Sequence, residues 1–538
     1  MSNNLRRGAA GTVYLFDTGG STHGDLVVDN AGLDSGHWTD LPSLGSGIAQ
    51  TGSTGVVLET GLTETVPDYF VGHWVEVSQP DGTLKGTWRI EAVSGTMLTL
   101  DAGANVAESD SWQGVYRFDS VRVAGYGEVQ STDPIRTNDV TLTDGGRLNV
   151  SEPIEVTTLV LGGGTSSPVM WSPITATGSV EVVGPGTSHA RSIESPVLTV
   201  RSGATLSHPS TASVSSPESL HLVVTDLVIE DGGAIDASGR GYAFDTTYPG
   251  AVVGSDSRSA GSHLGEGGAV SGTSGETYGS VTRPQENGAG GRYSTYGKRG
   301  GGVLRIEAQT VDLQGTAAIR ANGWGSTSNN FRGGAGGSVW ITAGAVTGTG
   351  VIEASGGSVP SYESGGGGGA IAIEYGTMDA AIEAGLRAVG GDVSNNLRRG
   401  AAGTVYLYQS GGSIFGDLVV GNSGLGSDHQ TVLPSLGAGV AQAGSTGVAL
   451  ETGLAETVPA YLVGHWVEVR DSGGALTGTW RIEAISGTTL TLEAGASVAE
   501  GDLWQGVYRF DSVLVTGNAR LRVGDLDEFG LVTVDPGA

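Results

Sequence analysis

Four apolar, alternating segments recur at nearly even spacing: "VLRIEA" (303–308), "SVWITA" (338–343), "AIAIEY" (370–375) and "TVYLYQ" (404–409), at intervals of 35, 32 and 34 residues. Strict alternation marks a strand with one buried face. A unit this small cannot enclose that face alone, so consecutive units must stack and share one core. Between these segments runs a second recurring strand, "AIRANG" (318–323), "VIEASGG" (351–357) and "GLRAVGG" (385–391), anticipated by "AIDASG" (234–239). Glycine-rich stretches such as "RGGAGG" and "SGGGGG" follow them. Upstream, shorter units repeat the scheme: "DVTLTDGGRLNV", "EVTTLVLGGG", "PVLTVRSGATL" and "LVIEDGGAIDASG". Strand, glycine corner and second strand describe a coil that pairs with the coils above and below it at about 4.8 Å. The expectation is an all-β chain built on a parallel β-helix, right-handed by the general preference of parallel crossovers. Glycine at the corners supplies positive φ without a Cβ penalty. Propeller blades, with four strands in about 40–45 residues, are longer than this unit.

A larger period is superimposed. With a constant offset of 392 residues and no gaps, residues 2–123 align with 394–515, and roughly three-quarters of the positions are identical. "SNNLRRGAAGTVYL" is repeated letter for letter, and "FVGHWVEV" (70–77) returns as "LVGHWVEV" (462–469). The second copy continues from "GLRAVGGDV" without a break, which reads as a segment of a longer tandem array. Inside each copy the pattern becomes hairpin-like, with PDG and SG turns between alternating strands. This predicts a small antiparallel barrel or sandwich inserted into the β-helix at 32–118 and again at 424–510. Trp74, Trp88 and Trp112, with their twins Trp466, Trp480 and Trp504, are expected in its core. The β-helix then comprises 1–31, 119–423 and 511–538, with a long loop at 240–300.

Composition narrows function. Charged residues are 15% of the 538, below the usual quarter, and the net charge is −29. Such acidity excludes a nucleic-acid partner, which needs a basic footprint. Lysine occurs only at Lys85 and Lys298, which disfavours an anionic membrane surface. No apolar run is long enough for a transmembrane segment. The absence of cysteine removes disulfides and thiolate metal sites and is compatible with an extracellular location.

The block from Gly261 to about Tyr375, with "GSHLGEGG", "RPQENGAGG", "GGGVLRIEA", "GGAGGSVWITAG", "GTGVIEASGG" and "GGGGGAIAIEY" in that order, resembles the glycine-rich β-helix segments of very large repetitive bacterial surface proteins. The resemblance covers about a quarter of the chain. It implies export to the cell surface, tandem modules and an adhesive or envelope role, and it brings no catalytic residues with it.

Loop 240–300 is too long for a mere connection, and loops of that kind tend to be functional or disordered. It carries Tyr242, Tyr248, His263, Tyr278, Glu286, Arg292, Tyr293 and Tyr296, and Trp324 and Tyr362 follow at one phase of later coils. Rings beside hydrogen-bonding groups suit a polysaccharide, apolar sugar faces lying on the rings. The competing reading is that these aromatics pin a glycine-rich lid to the β-helix flank. Asp236, Arg320, Glu353 and Arg387 sit at equivalent phase with alternating sign. That reads as a ladder of ion pairs and not as the two carboxylates a glycosidase needs. The chain is therefore expected to be no enzyme and to need no cofactor. Four of the nine histidines are twins, His37 with His429 and His73 with His465, and none has metal-ligand spacing. "GDLDEFG" (524–530) brings Asp525, Asp527 and Glu528 close together as a candidate for Ca²⁺, but lacks the full loop signature. The expected partners are neighbouring repeats of the same chain, or end-to-end self-association through unpaired strand edges.

Overall fold

The computed structural model describes residues 7–535 except 165, 256, 293–296, 329, 361–362 and 396–397. It is nearly all β; among the described residues the one α-helix is the short Ala380–Ala384. The chain divides into two compact units, one ending at Leu206 and the other starting at Ser207.

In the first unit, Ile135–Leu142, Ile154–Gly162, Ile174–Val183 and Ser192–Val200 stack in parallel, each pairing with the next. The stack continues through Ser111–Ala124 to Asp25–Asp29, and Val13–Leu15 pairs antiparallel with the latter. A second parallel stack holds Thr39–Asp40, Glu128–Ser131, Arg147–Val150 and Val169–Met170. The chain thus alternates between two stacks, one short strand and one long strand at a time. Inward residues such as Val140, Leu142, Leu159, Leu161, Val180 and Val182 are fully buried, as the period-two alternation requires. Gly145 (φ 76°) and Gly203 (φ 72°) make the tight turns between stacks, where positive φ is needed.

The second unit repeats the plan. Leu220–Ile229, Val303–Leu313, Ser338–Gly348, Ala370–Met378 and Thr404–Gln409 form one parallel stack. Ala234–Asp236, Ala318–Arg320, Val351–Glu353 and Leu386–Arg387 form the other.

The glycine-rich stretches of this unit are not turns. Along 333–337 the amides of Gly333 and Gly336 donate to Ser364 and Gly367, and those of Gly334 and Gly337 donate to Trp324 and Ala321; Ala335 donates to Ala289. Along 365–369 the directions again recur every third residue, towards Arg398 and Ala401, then Gly357 and Ala354, then Gly261. A period of three belongs to a polyproline II backbone; a β-strand has a period of two. Here carbonyls of neighbouring segments replace the water that solvates an isolated polyproline II chain. None of Gly333, Gly334, Gly336, Gly337 or Gly365–Gly369 has positive φ. Glycine is required because backbones touch. A Cβ on Gly334 would overlap the carbonyl oxygen of Arg299, and one on Gly366 that of Gly334. The corner account of glycine holds for the first unit and fails for this layer.

A block of antiparallel strands interrupts the parallel stack of each unit. In the first it runs from Ser46–Ile48 to the start of Ser111–Ala124, through Trp74–Ser78, Leu84–Ser94 and Met97–Leu100. It begins at Ser46, later than Gly32, because Thr39–Asp40 belongs to the parallel stack. Leu58, Val75, Val77, Ile90, Leu98 and Trp112 form its core, with Trp88 packed against them. The twin block has the equivalent core around Trp504, with Trp480. Trp74 and Trp466 are the exceptions to expectation: they leave the core and line a cleft on the flank of each block. One 14-residue strand, Ser111–Ala124, pairs antiparallel in the block through Val115 and parallel in the stack from Tyr116 onward. Leu503–Thr516 does the same in the second unit.

Candidate functional site

Loop 240–300 is built into the glycine layer. Lys298 and Gly301 donate to Arg332 and Ala335, Gly261 donates to Gly333, and Gly288 donates to Gly301. This places four of the seven expected sugar-binding residues that the structure describes inside the protein. Tyr242, His263, Tyr278 and Glu286 are buried. Tyr278 stacks on Tyr248 at 5.3 Å and lies 5.0 Å from the His263 ring, while its hydroxyl donates to the Asn287 carbonyl at 2.7 Å. His263 Nδ1 lies 3.0 Å from the Gly336 carbonyl oxygen, so that nitrogen carries the proton. Burial pushes the His263 pKa down to about 4. Glu286 accepts from the amides of Ser280 and Gln285, each at 3.1 Å. Burial outweighs those bonds and raises it to about 7. These side chains hold the glycine layer together, and no ring face of Tyr242 or Tyr278 is open to a glycan. Arg292 lies 3.5 Å from Asp245. Tyr293, Tyr296 and Tyr362 lie outside the described residues.

Among the described candidates Trp324 is the most exposed, at 58%. The Lys298 ammonium stands 5.7 Å from its ring centre and 3.9 Å from that of Phe331. An open groove of about 640 Å³, lined by Gly325, Ser326, Thr327, Ser358, Pro360 and Asp392, follows it along the chain. Asp236, Arg320, Glu353 and Arg387 stand in register on adjacent short strands, and Arg320 Nε meets Glu353 Oε2 at 3.0 Å.

The acidic trio at 525–528 does not converge. Asp525 is buried and accepts from the amides of Leu436 and Gly437 at 2.8 and 2.9 Å, from the Ser435 hydroxyl, and from His465 Nε2 at 2.8 Å. Burial alone would raise its pKa, but these bonds, that to His465 foremost, hold it below the usual carboxylate range. Asp527 stands opposite Tyr508 in the strand pair, and Glu528 pairs with Arg509 at 2.7 Å. Among the described residues no group of three or more His, Cys, Asp or Glu is placed to hold a metal. Asp525 also has a counterpart in the first copy, which the sequence comparison missed. Asp133, 392 residues earlier, accepts from Ser43 and from the amides of Leu44 and Gly45, with His73 at 3.5 Å. Each carboxylate ties the segment entering its antiparallel block to the adjoining coil.

Above each tie lies the cleft that sequence reasoning did not find. In the first unit it is open, about 870 Å³, and lined by Tyr14, Phe16, His23, Tyr69, Phe70, His73, Trp74, Arg89, Tyr116, Arg117 and Phe118 among others. In the second unit the equivalent residues, including Tyr406, Phe415, Tyr461, His465, Trp466, Arg481 and Phe510, enclose only about 30 Å³. There the chain itself fills the space: Gly279, Ser280, Val281 and Thr282 line it, the Arg283 side chain lies against Gly464, and Tyr248 meets Tyr461 edge-on at 5.2 Å. Exposure follows occupancy. Tyr14 is 55% exposed and its twin Tyr406 is 3% exposed.

No family model matches the chain, and no curated protein matches it. Among solved structures, the crystal structure of the tailspike protein gp49 from Pseudomonas phage LKA1 is matched at 11% identity over 87% of this chain and 81% of that chain, with a TM-score of 0.15. A score that low carries no argument about fold or function, so the reading of this chain rests on its own geometry.

Proposed function

We propose that the chain is a structural and adhesive segment of an extracellular repetitive surface protein: a right-handed parallel β-helix that carries two copies of a small inserted antiparallel domain. It serves as a stalk, a spacer or a filament subunit. The observation that carries this reading is the use made of loop 240–300. In the stretch richest in binding chemistry, Tyr242, His263, Tyr278 and Glu286 are buried among backbone layers. Each block is continuous with its coil through a single 14-residue strand, an arrangement suited to bearing load. Stability would then accrue between neighbouring coils, as in other solenoids. No helix among the described residues is long and apolar enough to cross a membrane.

A second reading, a polysaccharide-binding module, is favoured by one observation, the exposed Trp324 with Lys298 beside it and a groove next to it in the chain. Incubating the purified chain with a broad polysaccharide panel, and scoring retention and product release in the same tubes, tests both. No released product is expected, and release would overturn the structural reading. Retention that disappears in Trp324→Ala would select the binding module.

A further inference from the structure

The two clefts are lined largely by equivalent positions at an offset of 392, with Phe415 for His23 and Leu462 for Phe70, yet one is filled and one is open. We infer that the first cleft is a docking site for the 278–283 segment of another copy of this module, seated as Tyr278–Arg283 is seated in the second cleft. This rests on reading the chain as one repeat of a tandem array.

Three observations support it. First, the surface around the open cleft is apolar where its twin is covered. Tyr69 is 68% exposed, and Val13 and Leu15 are also exposed, whereas Val405 and Leu407 are buried. Second, the strand next to the cleft lacks a neighbour. Thr404–Gln409 pairs with Asp417–Gly421 on one edge and with Ala370–Met378 on the other. Val13–Leu15 pairs with Asp25–Asp29, and no second strand partner stands on its other edge among the described residues. An edge and a cleft left open together match one incoming body that supplies a strand like 370–378 and a loop like 278–283. Third, the substitutions between the clefts preserve what the occupant would meet. His23 replaces Phe415, but burial and the nearby Arg117 lower its pKa, with Asp119 opposing. The neutral imidazole then stands edge-on to Trp74 at 5.2 Å, as Phe415 stands to Trp466 at 5.7 Å. Gly72 matches Gly464. At present Arg89 lies over Gly72, donating from Nε to its carbonyl at 3.0 Å, in the place that Arg283 takes over Gly464. Arg481, the twin of Arg89, lies instead over Trp466, 4.7 Å from the ring centre. Docking therefore requires Arg89 to move aside, as Arg481 already has.

The test joins residues 207–393 directly ahead of residue 2, recreating the internal 393–394 junction, and compares this extended protein with the chain as it stands. Hydroxyl-radical footprinting reads Tyr69, whose flanking sequence differs from that of Tyr461. Hydrogen exchange reads the Val13–Leu15 amides. The expected result is that Tyr69 labelling falls to the level of Tyr461 while the amides become protected, and that Tyr248→Ala with Arg283→Ala in the added segment restores the labelling. Protected amides with Tyr69 still labelled would overturn the docking inference and leave the tandem reading standing. No change at either position would overturn both.

Discussion

Glu286 offers the sharpest check on the claim that the 240–300 segment is interior. Its carboxyl is enclosed and its pKa is raised by burial to about 7 from an ordinary 4.5. The folded chain therefore holds a proton that the unfolded chain releases. Stability is greatest below the unfolded value, falls as pH rises from there through the folded value, and is level beyond it. The 2.5-unit difference corresponds to about 3 kcal/mol at about 1.4 kcal/mol per unit. Glu286→Gln removes the ionisation while leaving an oxygen to accept from Ser280 and Gln285. Its amide adds a cost that does not vary with pH, so the informative quantity is the change with pH in the stability difference between variant and parent. That difference should move in favour of the variant by about 3 kcal/mol between pH 4 and 8, read by urea denaturation followed by near-ultraviolet circular dichroism. His263, held down to about 4 by burial, titrates in both proteins and cancels. A difference that stays flat with pH would show that Glu286 is solvated in the native state, and the account of the glycine layer would fall with it.

Further outcomes follow from the packing. Gly366→Ala drives a methyl group into the Gly334 carbonyl and should cost at least the 1–3 kcal/mol or so of an overpacked core, lowering the melting temperature. Gly32→Ala, at φ 78° with nothing within 4 Å, should cost only about 1–2 kcal/mol, from its backbone strain alone. Asp525→Ala strands His465 and the amides of Leu436 and Gly437 in a buried site and should cost about 3–5 kcal/mol, seen as early unfolding of the second unit. Because the Asp525 pKa is lowered, the stability it adds should be present above the unfolded carboxylate range and be lost as pH falls through its folded value. A calorimetric scan of the variant at acid and neutral pH checks the sign.

The stacked strands were legible because alternation and spacing are direct consequences of a shared core, and the register of Asp236, Arg320, Glu353 and Arg387 followed from their common phase. The glycine layer was not legible. A run such as "SGGGGG" has no side chains to alternate, and a need for bare backbone looks the same in sequence as a need for positive φ. Tyr242 and Tyr278 misled for a related reason. In a stretch poor in aliphatic residues they read as exposed binding rings, but among glycines they are the bulk that fills the interior. The kinship of Asp525 with Asp133 was hidden because their neighbours differ, Thr132 and Pro134 against Gly524 and Leu526, while the bonds that define the role are made to residues nearly 90 positions away. The clefts escaped because the residues that form each are gathered from several segments far apart in sequence.

The neck of each antiparallel block bears on how the chain acquires its structure. Gly114 donates to Gly45 at 2.8 Å, and Gly506 donates to Gly437 at the same distance. Asp25 and Ser120, which meet in adjacent coil strands, are 95 residues apart in sequence. Pairing such distant strands from an open chain is entropically costly and slow. A block that condenses first through its own local hairpins brings residues 45 and 114 together and short-circuits most of that distance. The search left to the coil is then over a few tens of residues, no longer than between ordinary rungs. An insertion that looks like an interruption of the stack would in that order of events act as its nucleus, with the coils zipping outward from each neck.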